Sequence, residues 1–210
     1  MNPRRLSMIR FPGLPLLLAL PLLAACDFQG DDIVFEPEYD LSYSFESGLD
    51  GWLPDGTDLD DPLVDWEVDV TGEHASDGSN AVRLRLDNLN GQGRIWIERR
   101  FDVAPDTAYT VEIAFDFGTS DFGDVNLWRV LAGATATDPE VAGELSPRDD
   151  TGGAEDEGVT WLERSYTTTL MSSEDGDLWV HVGVWGTWET ERAYYIDDLR
   201  VTLSRAPEAP

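Results

Sequence analysis

The stretch LWVHVGVWGTW, Leu178 to Trp188, decides how this chain folds. Leu178, Val180, Val182 and Val184 recur every second residue, and Trp179, His181, Gly183 and Trp185 fall between them. A two-residue period is that of a strand, whose successive side chains point to opposite faces. The first set makes an aliphatic face for a core. The second set should meet water, yet it holds two tryptophans and one of the chain's 2 histidines.

Comparable β-rich runs recur on either side between Gly, Asp, Asn and Pro clusters, and helical periodicity is nearly absent. The runs are Leu41–Glu46, Asp65–Val70, Ala81–Leu86, Arg94–Val103, Ala108–Phe117, Val125–Ala132, Thr160–Leu170, Leu178–Trp185 and Ala193–Leu203. Many short strands with turn residues between them predict an all-β fold, a two-sheet antiparallel sandwich. Residues 41–204 suffice for one such domain with a real core. The acidic stretch Thr137–Gly158 reads as an unusually long loop, and Asp55–Asp61 as a solvated acidic loop.

Several landmarks follow in order: SFESGLDGW, ASDGSNAVRLRL, RRFDVAPDTAYTVEIAF and AYYIDDLRVTL. Together they resemble the jelly-roll carbohydrate-binding modules of the galactose-binding-like superfamily, over roughly residues 41 to 204. The resemblance implies a two-sheet jelly roll in which consecutive strands alternate between sheets and one sheet face binds saccharide. It also implies a structural Ca²⁺ tying the opening strand to the last one. The matching positions are Glu46 and Asp197 or Asp198, with oxygens near Asp77, Ser79 and Asn80. Calcium takes several oxygen ligands at about 2.3–2.6 Å.

Alternation assigns the aromatic outer positions to one sheet. On Ala81–Leu86 and Ala108–Phe117 the residues opposite the aliphatic set are small, polar or charged. On Arg94–Val103, Ile95 and Ile97 face in, and Trp96, Glu98 and Arg100 face out. On Leu178–Trp185, Trp179, His181 and Trp185 face out. On Val125–Ala132 either Trp128 or Arg129 does. A flat indole stacks on the C–H face of a sugar ring, and nearby polar groups bond its hydroxyls. Glu98, Arg100, Asn126 and His181 are the polar candidates, and Trp188 can wall the cleft. The alternative is a face covered by the acidic loop, which makes the domain a ligand-free jelly roll for protein contact or envelope assembly. Trp52, Trp66 and Trp161 read as core or edge packing. No nucleophile–histidine or metal-protease motif is present, so the expectation is a binding protein and not an enzyme.

The N-terminal segment gives an address. Residues 1–25 pair a basic start with an apolar run ending Leu23-Ala24-Ala25, directly before Cys26, the chain's single cysteine. This resembles a bacterial lipoprotein signal and implies export, lipidation at Cys26 and anchoring to the cell envelope. An aspartate at position 27 resembles an inner-membrane retention signal in some lineages, which leaves the choice of membrane open. Residues 26–40 read as an acidic tether and 205–210 as a disordered tail. The chain carries 14 basic and 42 acidic side chains, a net charge of −28, and contains no lysine. Without the three arginines ahead of Cys26 the net charge is −31. Such a surface repels nucleic acid and anionic lipid headgroups. The expected partner, polysaccharide or oligosaccharide, is what the resemblance and the aromatic face imply, and the lipid anchor is the expected membrane contact. Replacing Cys26→Ser is expected to abolish incorporation of labelled fatty acid; equal labelling of variant and parent would exclude the anchor.

Overall fold

The computed structural model describes residues 38–120, 128–150 and 158–207. The signal segment, Cys26 and Asn126 lie outside these residues. Eleven strands are described: β1 (Tyr39–Tyr43), β2 (Leu53–Thr57), β3 (Asp65–Thr71), β4 (Ala81–Asp87), β5 (Arg94–Asp102), β6 (Ala108–Thr119), β7 (Trp128–Thr135), β8 (Pro147–Asp150), β9 (Thr160–Met171), β10 (Asp177–Gly186) and β11 (Glu191–Arg205). They form two antiparallel sheets. One is six-stranded, ordered β3-β4-β11-β6-β9 with β1 also on β11; the other is five-stranded, ordered β2-β5-β10-β7-β8. The result is the two-sheet all-β sandwich that the two-residue periods predict.

The core lies between the sheets and is built from the aliphatic sets. β4 supplies Val82, Leu84 and Leu86, and β6 supplies Val111, Ile113, Phe115 and Phe117. Facing them are Ile95 and Ile97 of β5 and Leu178, Val180, Val182 and Val184 of β10. Each such side chain contributes roughly 1.5–3 kcal/mol on full burial. The open choice on β7 resolves inward for Trp128. Its ring fills the space between Phe117, 4.8 Å away, and Tyr194, 6.2 Å away, so Trp128 belongs to the core and not to a ligand face. Arg129 consequently faces out.

β2 and β8 were not among the expected runs. β2 reads LPDGT and β8 reads PRDD, so neither carries an apolar alternation. Both lie at the edges of the five-stranded sheet, where a proline costs no ladder bond. β8 arises inside the stretch read as a long acidic loop. β11 pairs β4 with its first half and β1 with its second, and its register against β6 shifts between Asp197 and Arg200. This bulge sets Asp198 at a φ of 44°.

Candidate functional site

The outer face of the five-stranded sheet holds the residues that the alternation singles out. Cross-strand register arranges them in rows: Arg94, Trp185 and Arg129; Trp96, Gly183 and Leu131; Glu98, His181 and Gly133; Arg100, Trp179 and Thr135. Asp55 of β2 lies opposite Trp96. Two glycines shape this surface. A Cβ on Gly183 would run into Trp96 Cβ and the Ile95 carbonyl, and one on Gly133 would strike the Ser146 side chain and sit 3.0 Å from His181 Nε2. Bare backbone at these points lets other groups lie flat on the sheet.

The segment entering β8 uses that space. Leu145 is buried against Trp96 and Leu131, with the half-buried Trp185 at the margin of the same cluster. The Ser146 N–H donates to His181 Nε2 at 3.2 Å, and the Ser146 carbonyl accepts the Ala132 N–H at 3.1 Å. Arg148 Nε donates to the Ala132 carbonyl at 2.7 Å. Trp96, Glu98 and His181 are therefore buried beneath this segment and are not open to solvent. The expectation of an open tryptophan groove fails at its centre because the acidic stretch places Leu145 and Ser146 over it.

The ends of the face differ from its centre. The Arg94 guanidinium lies 4.2 Å from the Trp185 ring centroid and that of Arg129 lies 5.7 Å away, so arginine already occupies this indole. Trp188, in the turn after β10, is 57 % exposed. At the opposite end Trp179 is half-buried beside Arg100. Arg100 is held by Asp177 at 2.7 Å and Asp102 at 2.9 Å, and its side chain stays 52 % exposed.

A carboxyl cluster that sequence reasoning did not anticipate runs from the buried centre of the face to its surface. Oxygens of Asp55, Glu98 and Asp138 lie within 4.8 Å of one another. Glu98 is 4 % exposed and accepts the Trp96 Nε1–H at 2.7 Å. Burial first, then Asp138 and Asp55, push its carboxyl up to about 7, against the Trp96 hydrogen bond. Burial, with a smaller contribution from the Asp138 charge, also raises Asp55. His181 moves the other way: burial, then the Arg148 charge, lowers it to about 4, so it stays neutral and accepts the Ser146 N–H. Only Glu98 and His181 were legible here, as outward positions on strands. Asp138 comes from a stretch so acidic that no single residue stands out.

The residues matched to a calcium site meet at the turn over residues 76–80, and among the described residues they do not form a close group of three metal-ligating side chains. Glu46 Oε1 accepts the N–H groups of Ser79 at 2.7 Å and Asn80 at 2.9 Å. Asp197 Oδ2 accepts those of Ser76 at 2.8 Å and Asp77 at 2.9 Å, and its Oδ1 takes the Asp198 N–H at 2.8 Å. The turn over residues 76–80 is thus fastened to both the opening segment and β11 by N–H···carboxylate bonds. Asp198 is exposed; burial first, then the charges of Asp116, Asp77 and Asp197, push its carboxyl up.

No protein-family model matches the chain, and no curated protein does. Solved structures similar to it include carbohydrate-binding modules. The CBM22-1 xylan-binding domain of Paenibacillus barcinonensis Xyn10C is 18 % identical, with a TM-score of 0.41 over 80 % of this chain and 95 % of that one. A CBM61 module in complex with β-1,4-galactotriose is 17 % identical, with a TM-score of 0.40 over 78 % of this chain and 94 % of that one. A cyclase from Fischerella sp. TAU is 17 % identical, with a TM-score of 0.46 over 80 % of this chain and all of that one. At these identities and scores the likeness is one of general fold and no more.

The buried pair has opposite pH signatures. Glu98 holds its proton more tightly folded than unfolded, so its stabilising contribution is complete below 4.5 and is lost as pH rises to about 7. The folded state excludes the His181 imidazolium, so that contribution is complete above 6.5 and is lost as pH falls to about 4. Across their overlap these two contributions oppose one another. Glu98→Gln keeps an acceptor for Trp96 and removes the charge. It is expected to melt above the parent at pH 8, by about 2–4 °C per kcal/mol of relieved penalty. The gap should close towards pH 4.5. Equal melting at pH 8 would show that Glu98 carries no buried charge.

Proposed function

We propose that this protein is a lipid-anchored, non-catalytic saccharide-binding module of the bacterial cell envelope. The observation that supports it is the half-buried Trp179, standing beside Arg100 and Thr135 on the outer face of the five-stranded sheet. An indole offers a sugar its hydrophobic face, and the neighbouring guanidinium and hydroxyl bond its equatorial oxygens. The contact surface is this end of the face, because Leu145 and Ser146 hold the centre. A shallow surface of this kind gives modest affinity per molecule, and many copies on one membrane raise the effective strength. Anionic glycans bind poorly, since the net charge repels them.

One observation favours the alternative of a ligand-free sandwich used for protein contact: Leu145 packed on Trp96. A glycan array probed with the purified protein separates the two. Saccharide binding requires at least one neutral glycan to be retained, and Trp179→Ala to weaken it about tenfold, roughly 1–2 kcal/mol, with little change in melting temperature. A blank array, or unchanged affinity in Trp179→Ala, would overturn the saccharide reading at this face.

Calcium belongs to the same proposal as a stabiliser. Asp77, Asp197 and Asp198, with Asp116 across the β6–β11 register, concentrate negative charge that a hard cation neutralises. Ser79 and Glu46 fasten the adjoining turn. Binding to the native state alone adds about 2.7 kcal/mol at a hundredfold excess over Kd. The melting temperature is expected to rise with millimolar Ca²⁺. Asp198→Asn should melt higher than the parent in chelator and gain less from the ion. A parent that is indifferent to Ca²⁺ after chelation would remove the site.

A further inference from the structure

The outer face of the six-stranded sheet carries an aromatic row of its own. Trp161, Gly118, Tyr195, Arg83 and Asp69 are successive cross-strand partners on β9, β6, β11, β4 and β3. A Cβ placed on Gly118 would lie 2.9 Å from Trp161 Cε3, 2.9 Å from Cζ3 and 3.0 Å from Cδ2. Near-equal distances to three atoms of the six-membered ring mean that the indole lies face-down on the glycine. Its other face points away from the sheet, and Trp161 remains partly exposed. Tyr195, 6.2 Å from it, supports its edge and is itself closed off by His74 at 5.1 Å. Trp161 therefore packs on the sheet from the edge strand β9, in line with the core-or-edge reading of its sequence position, and turns its second ring face outward.

Beside this row opens a cleft of about 530 Å³ lined by Arg85, Ser120, Glu191, Arg192 and Ala193. Ala193 and Arg85 are cross-strand partners, two residues along β11 and β4 from Tyr195 and Arg83. The cleft thus adjoins the aromatic row at the next outward-facing pair.

We propose that this face is a second carbohydrate-binding surface, on which a sugar ring stacks on Trp161 and its neighbour in the chain enters the cleft lined by Arg85, Glu191 and Ala193. The occupant's chemistry follows from the charges. Arg85 is held by Asp65 at 3.0 Å and by Glu67 and Glu191 at 3.6 Å. Arg83 is held by Asp69 at 2.9 Å, Glu73 at 3.3 Å and Glu67 at 3.4 Å. Arg83 and Arg85 are each matched by more than one carboxylate, so a phosphate, sulfate or uronate meets repulsion beside them. Fixed N–H donors and carboxylate acceptors side by side suit groups that both donate and accept, which are the hydroxyls of a neutral oligosaccharide. An aromatic ring over a cross-strand glycine also supports a sheet. That role accounts for the ring's position and gives no reason for the polar cleft next to it.

This surface extends the saccharide reading to the other sheet and is tested separately from it. The full-length protein in detergent is titrated with neutral hexasaccharides of β-1,4-linked glucose, xylose, galactose and mannose, with dextran sulfate as the anionic control. Trp161→Ala is expected to weaken the tightest hexasaccharide about tenfold. Ala193→Gln, which extends a longer side chain into the cleft and leaves the indole in place, is expected to weaken it similarly with the parent's melting temperature unchanged. Parental affinity in either folded variant overturns the proposal, and if Trp161→Ala fails to fold, Ala193→Gln decides alone. A loss confined to Trp179→Ala removes this surface and leaves the five-stranded one. A loss confined to Trp161→Ala and Ala193→Gln does the reverse. Failure of the parent to bind any of the four hexasaccharides, or preference for dextran sulfate, overturns both.

Discussion

Gly183 carries no side chain, and the whole outer face of the five-stranded sheet depends on that. It stands between Trp96 and Leu131 in one cross-strand row, and any Cβ there collides with Trp96 and its neighbour's carbonyl. With the position bare, Leu145 closes over Trp96 and Leu131. Gly133, one row along, does the same for Ser146, whose N–H reaches His181. The face becomes a second, smaller core on the far side of the sheet from the main one. Its hydrophobic gain offsets the burial of the Glu98 carboxyl close to those of Asp55 and Asp138.

Most of the fold was legible because period two is a strong signal wherever one face is aliphatic. β4, β6 and β10 begin and end within two residues of their expected positions, and their inward sets are those that pack. The signal fails at β2 and β8, which carry Pro, Gly and Asp and are held by their neighbours' ladders instead of their own pattern. It fails differently at Trp128. With an apolar residue on each face of β7, alternation alone has no preferred phase. The outcome is set by the space that Phe117 and Tyr194 leave between the sheets.

The site was legible as a set of outward positions and illegible as an environment. That Trp96, Glu98, Trp179, His181 and Trp185 share one face follows from alternation. Whether water reaches them depends on a segment about forty positions away from two of those strands, and nothing local to Trp96 records its approach. A glycine directly across from a tryptophan is the trace that sequence does carry. Gly183 faces Trp96, and Gly118 faces Trp161, yet both pairings need the register before they can be recognised.

The two glycine–tryptophan pairs lead to opposite environments, and the difference lies in what crosses the sheet above them. Over Gly183 the chain entering β8 supplies Leu145, an apolar side chain with a matching apolar floor in Leu131. Over Gly118 the row continues into Tyr195, Arg83 and Asp69, and the next outward pair is Ala193 and Arg85. Those arginines are already bonded to carboxylates, and stripping water from them without replacing every hydrogen bond costs more than an apolar cover returns. A hydroxylated ligand that replaces those waters bond for bond meets a far smaller penalty. The same local pairing, a glycine across from a tryptophan, therefore belongs to a core where its neighbours are apolar and to a platform where they are charged.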